Sequence, residues 1–230
     1  MIIKENWFYM ISNISSWEIV VWEWVVAYFF DDWKNNVDVY LWKNSYVEFY
    51  GLLNSENNHS ISFYQNEFYS KLKVNYLLMS FDNSIKSKIY SKTSSDNSEV
   101  DIKILSLVWE NWNIDIDGIV EIDEWYKKIK WHLLEENIFL ANTWKIRWVP
   151  TLLVRSDDVE ASHACKIERI NDDELFYLRS RGLNRNDSLN IILESKIKVI
   201  FSCLSMIDKW FHQELLENII NLLTEKMTNN

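Results

Sequence analysis

One short stretch of the sequence, residues 155–165, carries the side chains best suited to chemistry. It reads Arg155-Ser156-Asp157-Asp158-Val159-Glu160-Ala161-Ser162-His163-Ala164-Cys165. Imidazole and thiolate groups bind soft or borderline metal ions, and a carboxylate beside an imidazole is suited to acid–base work. His163 and Cys165 are two residues apart, so a strand would place both on one face. Because no other Cys or His lies nearby in the sequence, the spacing alone favours a turn with an Asp cap and a hydrogen-bonded histidine.

The other three histidines are weaker candidates. His59 lies in a polar stretch and His212 in a predicted final helix, and we expect both to be solvated. The pattern of apolar residues around His132 does not predict whether its side chain faces the interior or the solvent. No H-E-x-x-H pattern joins any of them into a recognisable metal site.

Several tryptophans could stack on sugar rings. Trp17, Trp22 and Trp24 fall within one predicted strand, and alternation puts Trp22 and Trp24 on the same face. A hydrophobic core explains that placement equally, and we favour it. A carbohydrate-active enzyme that uses these rings with Asp157 and Asp158 stays an alternative, although it needs export.

Composition and charge exclude several classes of function. The chain has 230 residues, a net charge of -10, 3 Gly, 1 Pro and 13 Trp. An acidic chain does not collect phosphates by counterion release, so we expect no nucleic-acid partner. Three glycines could hardly build a phosphate-cradling loop, and no nucleotide-binding motif is present. Autonomous nucleotide hydrolysis is therefore not expected.

The sequence also predicts a cytoplasmic location and no membrane partner. No run of 18 or more apolar residues occurs, and the first residues do not resemble a secretory signal. In that compartment Cys165 and Cys203 are expected to stay reduced, not to form a disulfide.

Two hydrophobic periods divide the chain. From about residue 17 to residue 154 apolar residues alternate in short runs about ten residues apart, which is typical of strands in a sandwich, a barrel or a solenoid. After Ile170 the period becomes helical. The pattern predicts a short helix over 172–181 capped by Asn171, a second helix from near Asn186, and a third from about Ile207 with Trp210 on its apolar side. We therefore expect a β body over 1–170 and a helical domain over 171–230.

Two adjacent segments form a longer pattern. Residues 149–163 (VPTLLVRSDDVEASH) and 173–183 (DELFYLRSRGL) resemble the C-terminal signature of the SufB/SufD family of iron–sulfur cluster assembly proteins. Residues 116–122 and 137–140 are similar to shorter motifs of the same family. His163 and the Leu-Arg-Ser-Arg-Gly run at 178–182 look more like SufD than SufB.

The resemblance implies a right-handed parallel β-helix followed by a small α-helical domain. It implies a scaffold subunit, not an enzyme, that pairs with a SufB-like subunit and binds SufC, an ABC-type ATPase, through its C-terminal helices. His163 would act at the subunit interface, as a ligand of a transient cluster or as a proton relay; no cluster is expected to stay bound. The ATPase-docking surface would include Phe176, Tyr177, Arg179 and Arg181.

The sequence departs from the family pattern just after His163. Both glycines of the motif are replaced, and Cys165 stands at an alanine position. Cys165 is a weak candidate metal ligand, and we favour a small buried filler there. The sequence is also shorter than typical members, and we expect it to lack their N-terminal helical domain. A SufB-like subunit, or a degenerate structural subunit without chemistry, are the alternatives.

Overall fold

The computed structural model describes residues 1–14, 17–31, 36–54, 58–81, 84–109, 113–140 and 145–228, and these residues form fourteen strands followed by four α-helices. A short 3-10 helix lies between β2 and β3, at Ile11–Asn13. The strands are β1 (Ile2–Ile3), β2 (Trp7–Met10), β3 (Glu18–Val21), β4 (Val26–Asp31), β5 (Val37–Leu41), β6 (Tyr46–Leu53), β7 (Asn58–Gln65), β8 (Lys71–Ser80), β9 (Ile85–Thr93), β10 (Glu99–Val108), β11 (Asn113–Ile122), β12 (Ile129–Phe139), β13 (Lys145–Val154) and β14 (Val159–Arg169).

The strands alternate between two parallel sheets. Sheet A holds the odd-numbered strands in the order β1-β3-β5-β7-β9-β11-β13, and sheet B holds the even-numbered strands from β2 to β14. Each strand pairs in parallel with the strand two places later, so the chain winds as a β-solenoid. Of the three strand architectures that the sequence pattern allowed, the solenoid is the correct one, and the predicted parallel β-helix is confirmed.

The solenoid widens along the chain. β1 has 2 residues and β2 has 4, whereas β13 has 10 and β14 has 11. Ile3 pairs with Val21, but Ile122 pairs with Val154, so successive strand pairs are separated by longer and longer pieces of chain. A fixed sequence repeat is therefore absent although the architecture is repetitive.

The interior of the solenoid is built from side chains stacked in register. In sheet B, Phe29, Phe49, Val74, Ile102 and Leu133 follow one another across five strands, and all are buried. Parallel in-register pairing places each on the same face of the sheet. The Phe29 and Phe49 rings stack with centroids 5.9 Å apart. This alternation of buried and outward residues is the period-two pattern seen in the sequence.

A column of left-handed residues supports the turns that lead from sheet A to sheet B. Trp24, Asn44, Tyr69, Asn97 and Lys128 all have φ between 56° and 63°. Each donates its backbone N–H to the carbonyl that precedes the next turn of the solenoid, for example Asn44 to Phe68 at 3.0 Å. Left-handed backbone favours Gly or Asn over bulky residues. Trp and Tyr are therefore unusual occupants of this column.

The four helices follow β14 and cover part of sheet B. They are α1 (Asp172–Ser180), α2 (Arg185–Ile200), α3 (Leu204–Ile207) and α4 (Lys209–Thr228). The predicted Asn171 cap is present, and its side chain accepts a hydrogen bond from the N–H of Asp173 at 2.9 Å. α2 is capped by Asn184, close to the predicted start. No helix among the described residues is long and apolar enough to span a membrane.

The helices pack on the outer face of sheet B through a second hydrophobic cluster. Phe30 and Tyr50 point outward from the sheet and contact Phe201 and Phe211, with the Phe30 and Phe211 centroids 4.9 Å apart. α2 supplies the buried Leu193 and its neighbours on the same stripe. Strands and helices therefore share one apolar interface.

The sequence expectations need correction for Trp210 and for the group of Trp17, Trp22 and Trp24, of which Trp17 is 57% exposed instead of lying in the core. Trp210 was expected on the apolar side of its helix but is 84% exposed. β3 ends at Val21, so Trp22 and Trp24 do not share a strand face. Trp22 packs against the core and stacks on Trp42 at 4.2 Å, whereas Trp24 lies in a turn and is 71% exposed.

Candidate functional site

His163 and Cys165 lie on β14, the edge strand of sheet B. β14 pairs in register with β12, so His163 stands beside Leu133 and Cys165 beside Glu135. Leu133 and Glu135 are buried in the solenoid. Because in-register partners share a face, His163 and Cys165 also face the interior, as their spacing predicted for a strand.

The interior is open to solvent at this end. The sheet orders end at β13 and β14 among the described strands. Toward the ends of β13 and β14, the described interior-facing side chains of Leu152, Val154, His163 and Cys165 are exposed. Ile167 is also exposed, at 57%. We call this surface the open end; it comprises Leu152, Val154, His163, Cys165 and Ile167. It combines apolar side chains, an imidazole, a thiol and two unpaired strand edges.

Burial tunes the two titratable groups of the open end. Desolvation lowers the pKa of His163, which favours the neutral imidazole that binds metals. Desolvation, followed by the charge of Glu135, raises the pKa of Cys165. Cys165 is exposed and free, so the expectation of a buried filler is wrong. Among the described residues, no group of three or more His, Cys, Asp and Glu side chains could hold a metal ion.

The turn before β14 is organised by serine and backbone, not by an Asp cap. The Ser156 hydroxyl donates to the carbonyl of Tyr126 and accepts from the N–H of Asp158. The carbonyl of Asp158 accepts from the N–H of Lys128 at 2.9 Å. Arg155 contacts Glu121 at 2.8 Å. The turn therefore fixes where β14 starts, and hence the position of His163 along the strand relative to β12.

α1 presents the predicted partner-binding residues to solvent. Phe176 is 75% exposed, Tyr177 is also exposed, and α1 contributes no buried residue. The Arg181 guanidinium lies 5.1 Å from the centroid of the Tyr177 ring, a cation–π contact. Arg179 is exposed in the last turn. These four residues form one exposed aromatic and cationic helix end, which we call the α1 surface.

Sequence reasoning missed a buried polar network around His59. The expected solvated histidine is 3% exposed, and its Nε2 lies 2.8 Å from Oδ2 of Asp31. The Tyr76 hydroxyl donates to the same oxygen at 3.2 Å, and Ser87 contacts His59 Nδ1 at 3.2 Å. The Ile61 and Phe63 that follow His59 in alternation were the available signal, because period two places His59 on their buried face.

His132 and His212 belong neither to the open end nor to the hydrogen-bonded network around His59. His132 faces outward on β12 and contacts the Ser162 hydroxyl at 2.6 Å. His212 is half-buried on α4, and burial together with Lys198 lowers its pKa. Cys203 lies between α2 and α3 in the chain, outside β14, and also forms no disulfide.

The open end and the α1 surface both lie within the part of the chain that is similar to a known family. Residues 115–196 match the family model described as the SufBD core domain of SUF system FeS cluster assembly. The chain is 30% identical over 77 residues to the iron–sulfur cluster assembly protein SufD of Escherichia coli (strain K12), covering 34% of this chain and 18% of the relative.

Two further relatives match over similar stretches. A SufBD family protein of Synechocystis sp. is 37% identical over 62 residues, covering 27% of this chain and 14% of the relative. A SufBD family protein of Archaeoglobus fulgidus is 32% identical over 72 residues, covering 31% and 20%. The matches thus span a fifth or less of each relative. β14, with His163, and α1 both lie within residues 115–196, so this part of the chain is similar to the SufBD core domain.

Proposed function

We propose that this chain is a SufD-like scaffold subunit of a complex that assembles iron–sulfur clusters. The observation that carries the proposal is the open end. There His163, whose pKa is lowered by desolvation, is exposed among apolar side chains on the edge strand β14. Such a surface suits a shared site that a second subunit completes. The role is one of holding and positioning, so the proposal assigns no catalytic residue to this chain.

The open end is the surface that we assign to a SufB-like subunit. An exposed 11-residue edge strand offers a row of backbone donors and acceptors to a partner strand. The exposed Leu152, Val154 and Ile167 add apolar area that a partner would cover. His163 lies among these residues, so a cluster forming there would be enclosed by both subunits.

The α1 surface is the one that we assign to a SufC-type ATPase. Aromatic and Arg side chains are enriched in the centres of protein interfaces. Both kinds are supplied by α1 and its C-cap, in Phe176, Tyr177, Arg179 and Arg181. A shallow groove between α1 and α2, lined by Tyr177, Leu178 and Ile191 among others, continues this surface.

A SufD-like role is favoured over a SufB-like role by two features. The Leu-Arg-Ser-Arg-Gly run at 178–182 resembles SufD, and one relative with 30% identity carries that name. The chain has only two cysteines, Cys165 and Cys203, and only Cys165 lies at the open end. One cysteine at the open end provides few thiolate ligands for a subunit that would build a cluster by itself.

Co-expression of the full chain with a SufB-like and a SufC-type protein tests the proposal. We expect all three to copurify. Ile167→Lys should release the SufB-like protein, and Phe176→Ala with Tyr177→Ala should release only the ATPase. Val199→Lys and Trp210→Ala are matched controls, because both side chains are exposed on helices outside the two surfaces. Retention of both partners by the test variants, or their loss in the controls, would contradict the assignment.

His163→Ala separates cluster chemistry from assembly. We expect the complex to form but to accumulate less cluster on reconstitution with iron and sulfide, measured by visible absorption. If cluster accumulation is unchanged while complex formation remains intact, the chain is a structural subunit without chemistry.

A further inference from the structure

Charged side chains on the outer face of sheet B form rows that cross the strands. One row runs in register from Lys71 through Glu99 and Lys130 to Glu160. The sign of the charge alternates at every step of this row. The Lys71 Nζ lies 3.0 Å from Oε2 of Glu99, and the Lys130 Nζ lies 3.7 Å from Oε2 of Glu160. A positive charge on an added strand would therefore continue the row beyond Glu160.

The same alternation holds throughout the described part of sheet B. Neighbouring strands favour opposite charges side by side and disfavour like charges. Every in-register pair of Lys, Arg, Asp and Glu side chains that the registers of this sheet contain joins opposite signs; these pairs are Glu48 with Lys73, Lys73 with Asp101, Lys71 with Glu99, Glu99 with Lys130, Lys130 with Glu160, and Glu136 with Lys166. The sheet thus uses charge to match one strand to the next.

Two of these pairs end at the edge strand β14, with opposite signs. The Glu160 side chain is 66% exposed and the Lys166 side chain 51%. The Lys166 Nζ contacts Glu136 at 3.4 Å and Glu168 at 2.6 Å, so these carboxylates take two of its three N–H donors. Six residues of strand separate Glu160 from Lys166, about 20 Å. A strand added to β14 would meet a negative and a positive position at that distance.

We propose that the SufB-like subunit pairs with β14 through a strand that carries a basic side chain opposite Glu160 and an acidic side chain opposite Lys166. The inference rests on the proposed function and adds the chemistry of the partner strand to it. Backbone hydrogen bonds along an edge are available to any sequence and do not select a partner. Glu160 and Lys166 select both the partner and its register, because a wrong or shifted strand would set like charges side by side.

A second copy of this chain is the competing occupant of the edge. An antiparallel β14 centred on His163 would set Lys166 opposite Glu160, and Glu160 opposite Lys166. The same register sets Asp158 opposite Glu168, which are both acidic. A strand of different sequence avoids this conflict, so the charge pattern favours a separate partner.

Charge reversal tests the proposal in the complex of the full chain with the SufB-like subunit. Glu160→Lys and Lys166→Glu should each raise the Kd about fivefold or more, and the double swap about twentyfold or more, because positions this far apart act independently. High salt should reduce these effects, since it screens exposed charges. Glu217→Lys, Lys209→Glu and their double swap are matched controls, because both side chains are exposed on α4; they should leave the Kd unchanged. Biolayer interferometry measures the Kd, and circular dichroism verifies the fold.

The outcomes distinguish this inference from the proposed function. Binding of the SufB-like subunit that is insensitive to both reversals would overturn the charge pairing and leave the proposed function standing. Failure of the unmodified chain to bind that subunit would overturn both. A third outcome is a dimer of the isolated chain, seen by light scattering, that each single reversal dissociates and the double swap restores. It would identify a second copy as the occupant and overturn the proposal, because the swapped signs again face each other.

Discussion

Gly51 leaves open the space that the Tyr76 ring occupies. A Cβ placed on Gly51 would overlap Cε1, Cδ1 and Cζ of that ring. The two residues are in-register neighbours on β6 and β8, and Asp31 is in register on the other side of Gly51. The missing side chain thus lets the Tyr76 hydroxyl reach across to Asp31 at 3.2 Å.

Gly51→Ala should therefore destabilise the protein by about 1–3 kcal/mol, the usual cost of overpacking a core. The measurement is the free energy of unfolding in urea. Tyr76→Val removes the ring, and in that background Gly51→Ala should cost much less. Equal costs in both backgrounds would show that the overlap does not determine stability at this position.

The His59 network should be essential for stability. His59→Leu removes a partner of the buried Asp31 carboxylate, 2.8 Å away, and breaking such a buried pair costs about 3 kcal/mol. His132→Leu is the matched control, because His132 is partly exposed and bonded to a serine; its cost should stay below about 1 kcal/mol. Similar urea midpoints for the two variants would contradict the expectation.

Glu121 should contribute to stability in acid. Hydrogen bonds from the Tyr90 hydroxyl and the Arg155 guanidinium, followed by the nearby Lys92, lower the pKa of Glu121 from 4.5 to about 2. The folded state thus favours the carboxylate. This stabilisation is fully present above pH 4.5 and is lost as the pH falls towards 2.

We expect the urea midpoint of the unmodified chain to fall more between pH 5 and pH 2 than that of Glu121→Gln. Glu99→Gln serves as a control, since it removes a half-exposed ion pair with Lys71. Parallel pH profiles for the unmodified chain and Glu121→Gln would disprove the contribution.

Replacing tryptophan by glycine should stabilise the chain at two positions. Trp24 and Trp125 have φ of 63° and 74° and are largely exposed. A left-handed conformation costs a bulky residue about 1–2 kcal/mol, and Gly adopts it freely at a smaller entropic cost. Trp24→Gly and Trp125→Gly should each raise the free energy of unfolding by about 0.5–1 kcal/mol. Trp7→Gly, an exposed strand position, should lower it; a loss of stability in all three would refute the argument.

Period and family motifs predict the strands, the helices and the position of His163, because these depend on local pattern. The proximity of Glu135 to Cys165 was not predictable in the same way. It depends on register across β12 and β14, and the growing separation of successive strand pairs leaves no fixed period from which to count. His59 was misjudged because polar neighbours hid its place in a period-two run. Trp24 was misjudged because left-handed turn positions usually hold Gly or Asn, so a tryptophan there gave no sign of a turn in the sequence.

The unequal widths of the solenoid also limit how copies can associate. Pairing β14, with 11 residues, against β1 or β2, with 2 and 4 residues, would leave most of the β14 edge without a partner strand. A fibre requires the same contact to repeat without end. The β14 edges of two copies match each other in length. A contact between them uses both edges, so such an association ends at two subunits.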